Sequence, residues 1–275
     1  MSISFAVTAY NEMSEGRLHG QRILDCIQAA LEHEAVDEVV VMDDGSDDYN
    51  QLVELLTGQT HDLKLKLWHN VTNFGVFVNK IEAVILCSGD WVITSDSDNI
   101  MDKAFIDRVV ALDKKSDTWY CSSFAKTHFD YRELVGLYDL SSIHTMLGKP
   151  LGECCGNTGN QTVHRKSFIE VFGKFCGERA DLLLPNWLGL SETQRKDKYW
   201  RLVFDACDSL ILNMQWLYAG NRIQVTEGLE YDHYYAAGPE GNYTRAPVEK
   251  GRLGEILVKE LRERSMAAND DGVSS

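Results

Sequence analysis

The sequence predicts an α/β protein, a mostly parallel sheet flanked by helices, and three observations predict it. From Ile3 to Thr94, short β-branched apolar runs alternate with longer stretches of helical period, the pattern of consecutive strand–helix–strand units. Val39-Val-Val-Met42 is apolar without interruption, as a strand buried on both faces has to be. Polar, mostly acidic residues follow directly on the strands, at the edge where open α/β sheets bind their ligands.

In chain order, Ile3 to Thr8 reads as the first strand and Ala9 to Glu12 as its loop. Arg17 to His33 is an amphipathic helix, with Leu18, Ile23, Ile27, Ala30 and Leu31 on one face. The second strand, Val39 to Met42, runs into Asp43-Asp-Gly-Ser-Asp-Asp48, and a helix follows through Leu56. Leu63 to Trp68 is the third strand, Val76 to Cys87 a helix, and Trp91 to Thr94 the fourth strand. Beyond it the rhythm loosens. Ala104 to Leu112 reads as helix, Trp119 to Lys126 as strand, Phe129 to Val135 as a weaker strand and Asp139 to Leu147 as helix. Gly148 to Gly159 reads as loop, Val163 to Lys166 as a strand edge with a helix to Phe172, Asp197 to Tyr218 as a long helix, and Arg222 to Thr226 as the last strand. Gly238 to Pro247 has the glycines of a closing loop, Val248 to Arg264 is a charged helix, and Ser265 to Ser275 a disordered tail. No repeat or linker splits the chain, so it reads as one domain with a first half (1–110), a second half (111–247) and a terminal segment (248–275).

The chemistry concentrates after the fourth strand, at Asp96-Ser-Asp98. Two ionised carboxylates one residue apart repel unless a cation joins them, and as hard oxygen donors they suit Mg²⁺ or Mn²⁺ rather than zinc. A solvated turn is the plain alternative. The loops after the first two strands open on the same edge. There Tyr10 could stack on a nucleobase, and Asp44 could accept its imino N–H or bind ribose hydroxyls. Alternatively, Asp43 and Asp44 form a tight turn with Ser46 or Asp47 as helix cap. No G-x-G-x-x-G follows the first strand, which argues against a dinucleotide.

Composition narrows the partners. The 275-residue chain is 44% hydrophobic and 25% charged, ordinary for a globular protein, with net charge −15. That charge argues against nucleic acid, and it requires local cations for any anionic substrate. Lys126, Arg165, Lys166 and Arg245 are candidates for that role and equally ordinary surface residues. No apolar run reaches the roughly 18 residues a membrane span needs, and the first residues do not read as a signal peptide, so a cytoplasmic setting is expected, with peripheral membrane association left open. Seven cysteines without a C-x-x-C pair fit a reducing compartment. Cys154-Cys155 with His164 match no common zinc spacing.

Four motifs in register carry a resemblance. Val7-Thr-Ala-Tyr-Asn-Glu12, Met42-Asp-Asp-Gly-Ser46, Asn73-Phe-Gly75 with Asn79-Lys80, and Ser88-Gly-Asp-Trp-Val-Ile-Thr-Ser-Asp-Ser-Asp98 resemble family 2 glycosyltransferases of the GT-A fold. The resemblance implies a Rossmann-like sheet, a nucleotide-sugar donor (UDP- or GDP-linked), a divalent metal, inversion at the anomeric carbon, and a carbohydrate or glycoconjugate acceptor held by the C-terminal half. Carried over by position, Thr8, Tyr10, Glu12 and Asp44 line the nucleoside. Asn79 and Lys80 approach ribose or phosphates, Asp96 approaches ribose and metal, and Asp98 ligates the metal.

Later segments match more loosely. Gly159 to Phe168 resembles the stretch preceding the acceptor loops, and Ala206 to Ile211 the family's E-D helix, with Cys207 in the glutamate position. Asp208 is the implied general base and Asp205 the reserve. His233, in Tyr231-Asp-His-Tyr-Tyr235, stands where the family often has a histidine and is a third candidate metal ligand, or else a packed core residue. The Q-x-x-R-W motif of processive synthases is absent, which favours transfer of a single sugar in glycan biosynthesis. Two other enzyme classes fit less well. A D-x-D phosphatase expects its pair after the first strand, and a nucleotidyltransferase expects a glycine-rich basic loop that Ala9 to Gly16 lacks. A non-catalytic nucleotide-sugar binding protein would keep the first motifs and lack the base.

Overall fold

Alternation along the strands builds the molecule. The computed structural model describes residues 2–59, 63–156, 159–175, 207–234 and 247–273. In β1 (Ile3–Ala9), β2 (Glu38–Asp43) and β4 (Trp91–Asp96), every residue except Thr94 and Asp96 is buried. Successive side chains point to opposite faces. Phe5, Val7, Val39, Val41 and Ile93 therefore enter one core with α1 (Gln21–Glu32), α2 (Tyr49–Gln59) and α4 (Lys103–Ala111). Ala6, Val40, Met42 and Val92 enter a second core with α3 (Val76–Leu86), on the opposite face of the sheet.

The sheet runs β3-β2-β1-β4-β8-β5-β9-β7, with β6 beside β5. β3 is Leu65–His69, β5 Thr118–Lys126, β6 Phe129–Asp130, β7 Gly136–Tyr138, β8 Gln161–His164 and β9 Arg222–Asp232. β1 pairs in parallel with β2 and β4, and β2 with β3. β8 is antiparallel to both β4 and β5, which leaves β4, β5 and β9 pointing the same way. The carboxyl ends of all six parallel strands thus share one edge. Below it, Trp119 on β5 stacks on Trp216 of α8 (Asp208–Tyr218), ring centroids 4.7 Å apart, and Phe168 and Phe172 of α7 (Arg165–Phe172) close the same cluster.

Several boundaries differ from the sequence reading, each for a local reason. The first helix begins at Gln21, not Arg17, because Leu18 and His19 adopt left-handed backbone (φ 54° and 51°) and Glu15–Gly20 forms a separate 3-10 turn. Gly20 follows at φ +85°, and a Cβ there would meet Leu55 at 2.2 Å. The helix expected over 139–147 is only α5 (Ile143–Leu147), because the Asp139 carboxylate and carbonyl hold residues 139–142 in a turn. The expected loop 148–159 contains the short α6 (Gly152–Gly156). The strand expected over 129–135 stops at Asp130 and gives way to a 3-10 turn at Arg132–Leu134.

The last strand continues to Asp232 because β5 pairs with it beyond a bulge at Ser122–Phe124. The tail expected to be disordered from Ser265 is helical: α9 spans Pro247–Val273. Buried Ser265 anchors it, accepting the His144 backbone N–H at 3.1 Å while its hydroxyl meets His144 Nδ1 at 2.9 Å. Asp205, residues 197–206 of the expected long helix, Arg245 and residues 238–246 of the expected closing loop lie outside the described residues.

Cys26, Cys87, Cys121, Cys155 and Cys207 are buried and none of them is in a disulfide among the described residues. Burial pushes the thiols of Cys87 and Cys121 up to about 12, so they pack as small apolar groups rather than react.

Candidate active site

The ends of β1 and β4 lie side by side, with Thr8 in register with Asp96. The Thr8 hydroxyl donates to Asp96 Oδ1 at 3.3 Å, and the Asp96 backbone N–H donates to Asn160 Oδ1 at 3.0 Å. Thr8 and Asp96 share the face occupied by α3, which brings in Lys80. The Lys80 ammonium lies 3.1 Å from Asp96 Oδ1, 2.8 Å from Asp208 Oδ2 and 3.4 Å from the Ser209 hydroxyl. Lys80 is only 8% exposed, and two carboxylates are what make a buried ammonium tolerable. Gly159 makes room for it: a Cβ there would lie 2.5 Å from Lys80 Nζ and 2.4 Å from Ser209 Oγ. Asp208, the implied base, is thereby held against Asp96 across the boundary between the two halves.

The other face of the edge is acidic. Asp98 Oδ2 accepts from Arg17 Nη1 at 2.8 Å. Glu12 is fully buried; its Oε1 accepts from Ser97 Oγ at 2.6 Å and from the Tyr10 N–H at 3.3 Å, while Oε2 has no partner among the described residues. Burial lifts the Asp98 carboxyl above its ordinary value; Arg17 opposes the shift and Asp96 adds to it. Glu12 is lifted by burial as well, only partly offset by Arg17. Asp96 is lowered: burial works against ionisation there, but Lys80 and the Thr8 hydroxyl outweigh it.

Such a set fits a divalent cation. Its donors are hard oxygens, and burial disfavours the charged forms of Asp98 and Glu12 more than Arg17 favours them, an imbalance that a bound cation would redress. Among the described residues no three His, Cys, Asp or Glu side chains converge as a complete metal cage. Mg²⁺-type sites commonly take one or two carboxylates and complete their shell with substrate phosphates and water.

The remaining candidates are disposed as follows. Tyr10 is 44% exposed at the mouth of the edge. Asp44 is buried and pins the 70–75 loop, accepting from the N–H groups of Phe74 (2.8 Å) and Gly75 (2.9 Å) and from Asn70 Nδ2 (3.3 Å). Asp43 closes the turn, accepting from Ser46 N (2.8 Å) and Ser46 Oγ (2.6 Å). The Asn79 amide donates to the Met42 carbonyl at 3.0 Å. His233 follows β9 at the same edge, its Nδ1 3.1 Å from His128 Nδ1 and its ring edge-on to Phe129 and Tyr231. Burial lowers its pKa, reinforced by His128 and opposed by Asp96, which favours the neutral, ligand-competent ring.

Lys126 faces Glu230 and Asp232 at 3.8 and 4.0 Å, and Arg165 donates to the Ile85 carbonyl. The cations that reach the acid pair are instead Lys80 and Arg17. Sequence reasoning missed Arg17, Asn160, Gly159, Ser97 and His128 as members of the site. Gly159 and Asn160 open a recognisable motif and could have been found. Nothing local marks Arg17, or links His128 to a partner at position 233. Asn70 and Asn160 each open an N-x-T sequence, Asn70-Val-Thr72 and Asn160-Gln-Thr162; both asparagines are buried, so neither is available to a glycan.

A Rossmann-like sheet with an aspartate pair at the end of its fourth strand is the architecture of GT-A glycosyltransferases. The model of glycosyl transferase family 2 matches residues 4–172, and the chain belongs to that family; it is a glycosyltransferase. The match runs well past Asp98, where the quoted motifs end. No curated protein matches the sequence. Among solved structures, S. aureus TarS 1-349 superposes with a TM-score of 0.58 at 16% identity, covering 97% of this chain and 71% of that one. Its complex with UDP-GlcNAc gives 0.55 at 15% identity, over 97% and 73%. The mannosyltransferase PcManGT from Pyrobaculum calidifontis, in complex with GDP-Man and Mn²⁺, gives 0.53 at 15%, over 99% and 75%. At these identities the likeness is one of fold. No helix among the described residues is long and apolar enough to cross a membrane.

Proposed function

We propose that this glycosyltransferase moves one sugar from a nucleoside-diphosphate donor to an acceptor hydroxyl, with inversion, using Mg²⁺ or Mn²⁺ and Asp208 as general base. The observation that carries the reading is the Asp96–Lys80–Asp208 bridge, with ammonium-to-carboxylate distances of 3.1 and 2.8 Å. It fixes a candidate base beside the carboxylate pair suited to a donor's metal. Tyr10 offers a ring for the base and Thr8 a hydroxyl beside Asp96. Asp96 and Asp98, with His233 as a third candidate, would hold the metal, which when bound supplies Lewis-acid neutralisation of the leaving diphosphate. Asp208 would take the acceptor's proton as its oxygen attacks the face of the sugar opposite the leaving group, giving inversion. The solved complexes with UDP-GlcNAc and with GDP-Man and Mn²⁺ support the donor class without choosing its base.

A panel of UDP- and GDP-sugars, each with and without Mn²⁺, tests this. One donor should raise the melting temperature, more so with Mn²⁺, by mass action. Asp208→Asn should keep that shift and lower kcat by roughly 10²- to 10⁴-fold. A panel without any shift, or full turnover in Asp208→Asn, overturns the reading. A binding protein would show the shift with no turnover in either form.

A further inference from the structure

Each member of the acid pair carries a cation of the chain's own, and the two cations differ in kind. Lys80 is buried and divided between Asp96 and Asp208. Among the described residues Arg17 makes one ion pair, with Asp98, and its side chain is 31% exposed. It stands on the Glu15–Gly20 turn, where Leu18 and His19 hold left-handed backbone. Left-handed non-glycine residues cost on the order of 1 kcal/mol each and persist only where the surroundings impose them. Here they detach Arg17 from α1 and keep it at the sheet edge. Neighbouring Arg22 lies with its guanidinium 3.7 Å over the Tyr234 ring and acts on Asp98 through its charge, with no ion pair to it among the described residues.

Asp98 is the carboxylate assigned to the metal, and a divalent cation placed on it competes with Arg17 for the same negative charge and repels the guanidinium. Once such a cation takes Asp98, the guanidinium loses its hydrogen-bonded carboxylate and keeps only the Coulombic attraction of Glu12 and Asp96, which leaves its N–H groups open to another anion. In the reaction proposed above, the incoming anion is a diphosphate, whose oxygens a guanidinium fork matches well. We propose that Arg17 is an exchangeable counter-ion: it neutralises Asp98 in the donor-free protein and passes to the donor's diphosphate when a divalent cation occupies Asp98. The inference rests on the reading of the Asp96–Asp98 edge as a metal and diphosphate site, and it adds a binding residue to that site.

The test is a pair of titrations on the full chain, Mn²⁺ alone by electron paramagnetic resonance, then UDP and GDP at saturating Mn²⁺ by calorimetry. Arg17→Met removes the competitor for Asp98, so Mn²⁺ should bind about 3-fold tighter, the scale of a part-exposed ion pair. The same variant should bind the nucleoside diphosphate about 10-fold more weakly, the scale of a lost charge-assisted contact to phosphate. A merely structural ion pair would move both in the same direction or neither. Mn²⁺ binding that is unchanged or weaker, or unchanged diphosphate affinity, overturns the proposal. Arg17→Gln repeats both titrations should Arg17→Met fail to fold. Asp98→Asn separates the two readings. If it keeps wild-type Mn²⁺ binding, the metal site itself is wrong. If it loses Mn²⁺ while the Arg17 variants bind no tighter, only the exchange falls.

Discussion

The Lys80 ammonium lies 2.8 Å from Asp208 Oδ2, joining a helix of the first half to the opening residue of α8 in the second. Its other carboxylate, Asp96, closes β4. A single buried cation therefore ties together the end of a central strand and two helices. Removing it leaves two carboxylates facing each other, Asp208 buried and Asp96 about a third exposed. Breaking a buried pair by deleting one partner costs about 3–5 kcal/mol. Lys80→Met is expected to lose stability at the low end of that range, because water reaches Asp96, read as a lower midpoint in urea with the slope unchanged. Asp208→Asn leaves Lys80 its contact with Asp96 and should lose less. Equal losses would mean that the bridge does not act as one unit.

Gly159 argues the same point from the empty side. The two atoms its Cβ would crowd, at 2.4 and 2.5 Å, are the tips of Ser209 and Lys80 rather than backbone. Side-chain tips can retreat, so the fold should absorb Gly159→Ala with a loss of about 1 kcal/mol. The Lys80 tip can retreat only by leaving a carboxylate, and a displacement near 1 Å at a site can cost about 100-fold in rate. The expected result is a small shift in melting temperature with a large fall in kcat. A large stability loss with normal turnover would reverse the assignment of Gly159 from site to scaffold.

The reach of the sequence follows from the same contacts. Strands such as Val39 to Met42 were legible because their burial on both faces is written locally, as unbroken apolar residues. So were Asp96 and Asp98, which follow a strand directly. The site's cross-links were not, because Lys80–Asp208, Asn160–Asp96 and His233–His128 join residues far apart in the chain. Arg17 was misread for a different reason. Its stretch has helical periodicity, and left-handed backbone at Leu18 and His19 is a tertiary outcome that propensity does not encode. The ordered end of α9 belongs to the same class: Ser265 is an unremarkable residue until it meets His144.

That contact gives a third prediction. Ser265 is fully buried and meets both the backbone N–H and the ring Nδ1 of His144. Ser265→Ala leaves the part-buried His144 N–H without its acceptor, at a cost of about 1 kcal/mol. Hydrogen exchange should then rise at the His144 amide and along 257–265, while the sheet edge keeps its protection. Unchanged exchange there would mean that α9 docks through its other contacts, Leu257, Val258 and Leu261 in the core and Arg262 on the Leu147 carbonyl and Glu153.

Glu38 supplies a pH dependence. It sits at the start of β2, 2% exposed, and accepts from Ser4 Oγ at 2.6 Å, from Ser88 Oγ at 2.9 Å and the Ser88 N–H, and from Lys66 Nζ. Burial opposes its ionisation, but the Lys66 contact and then the serine hydrogen bonds outweigh it, so the carboxyl falls from an ordinary 4.5 to about 2. A folded-state value below the unfolded one stabilises the protein above the unfolded pKa, and that stabilisation is lost as pH falls through the folded one. The window here therefore runs from about 4.5 down to about 2. A shift of this size corresponds to at most about 3 kcal/mol, less whatever solvent screens at half-exposed Lys66. Glu38→Gln should be less stable than the parent by roughly 2 kcal/mol at pH 7, with the gap closing as both are acidified through that window. Urea midpoints at pH 7, 5, 4 and 3 measure the gap. Parallel curves across the series would mean that the Glu38 charge contributes nothing to the fold, and that the hydrogen bonds alone join β1, β2 and the turn before β4.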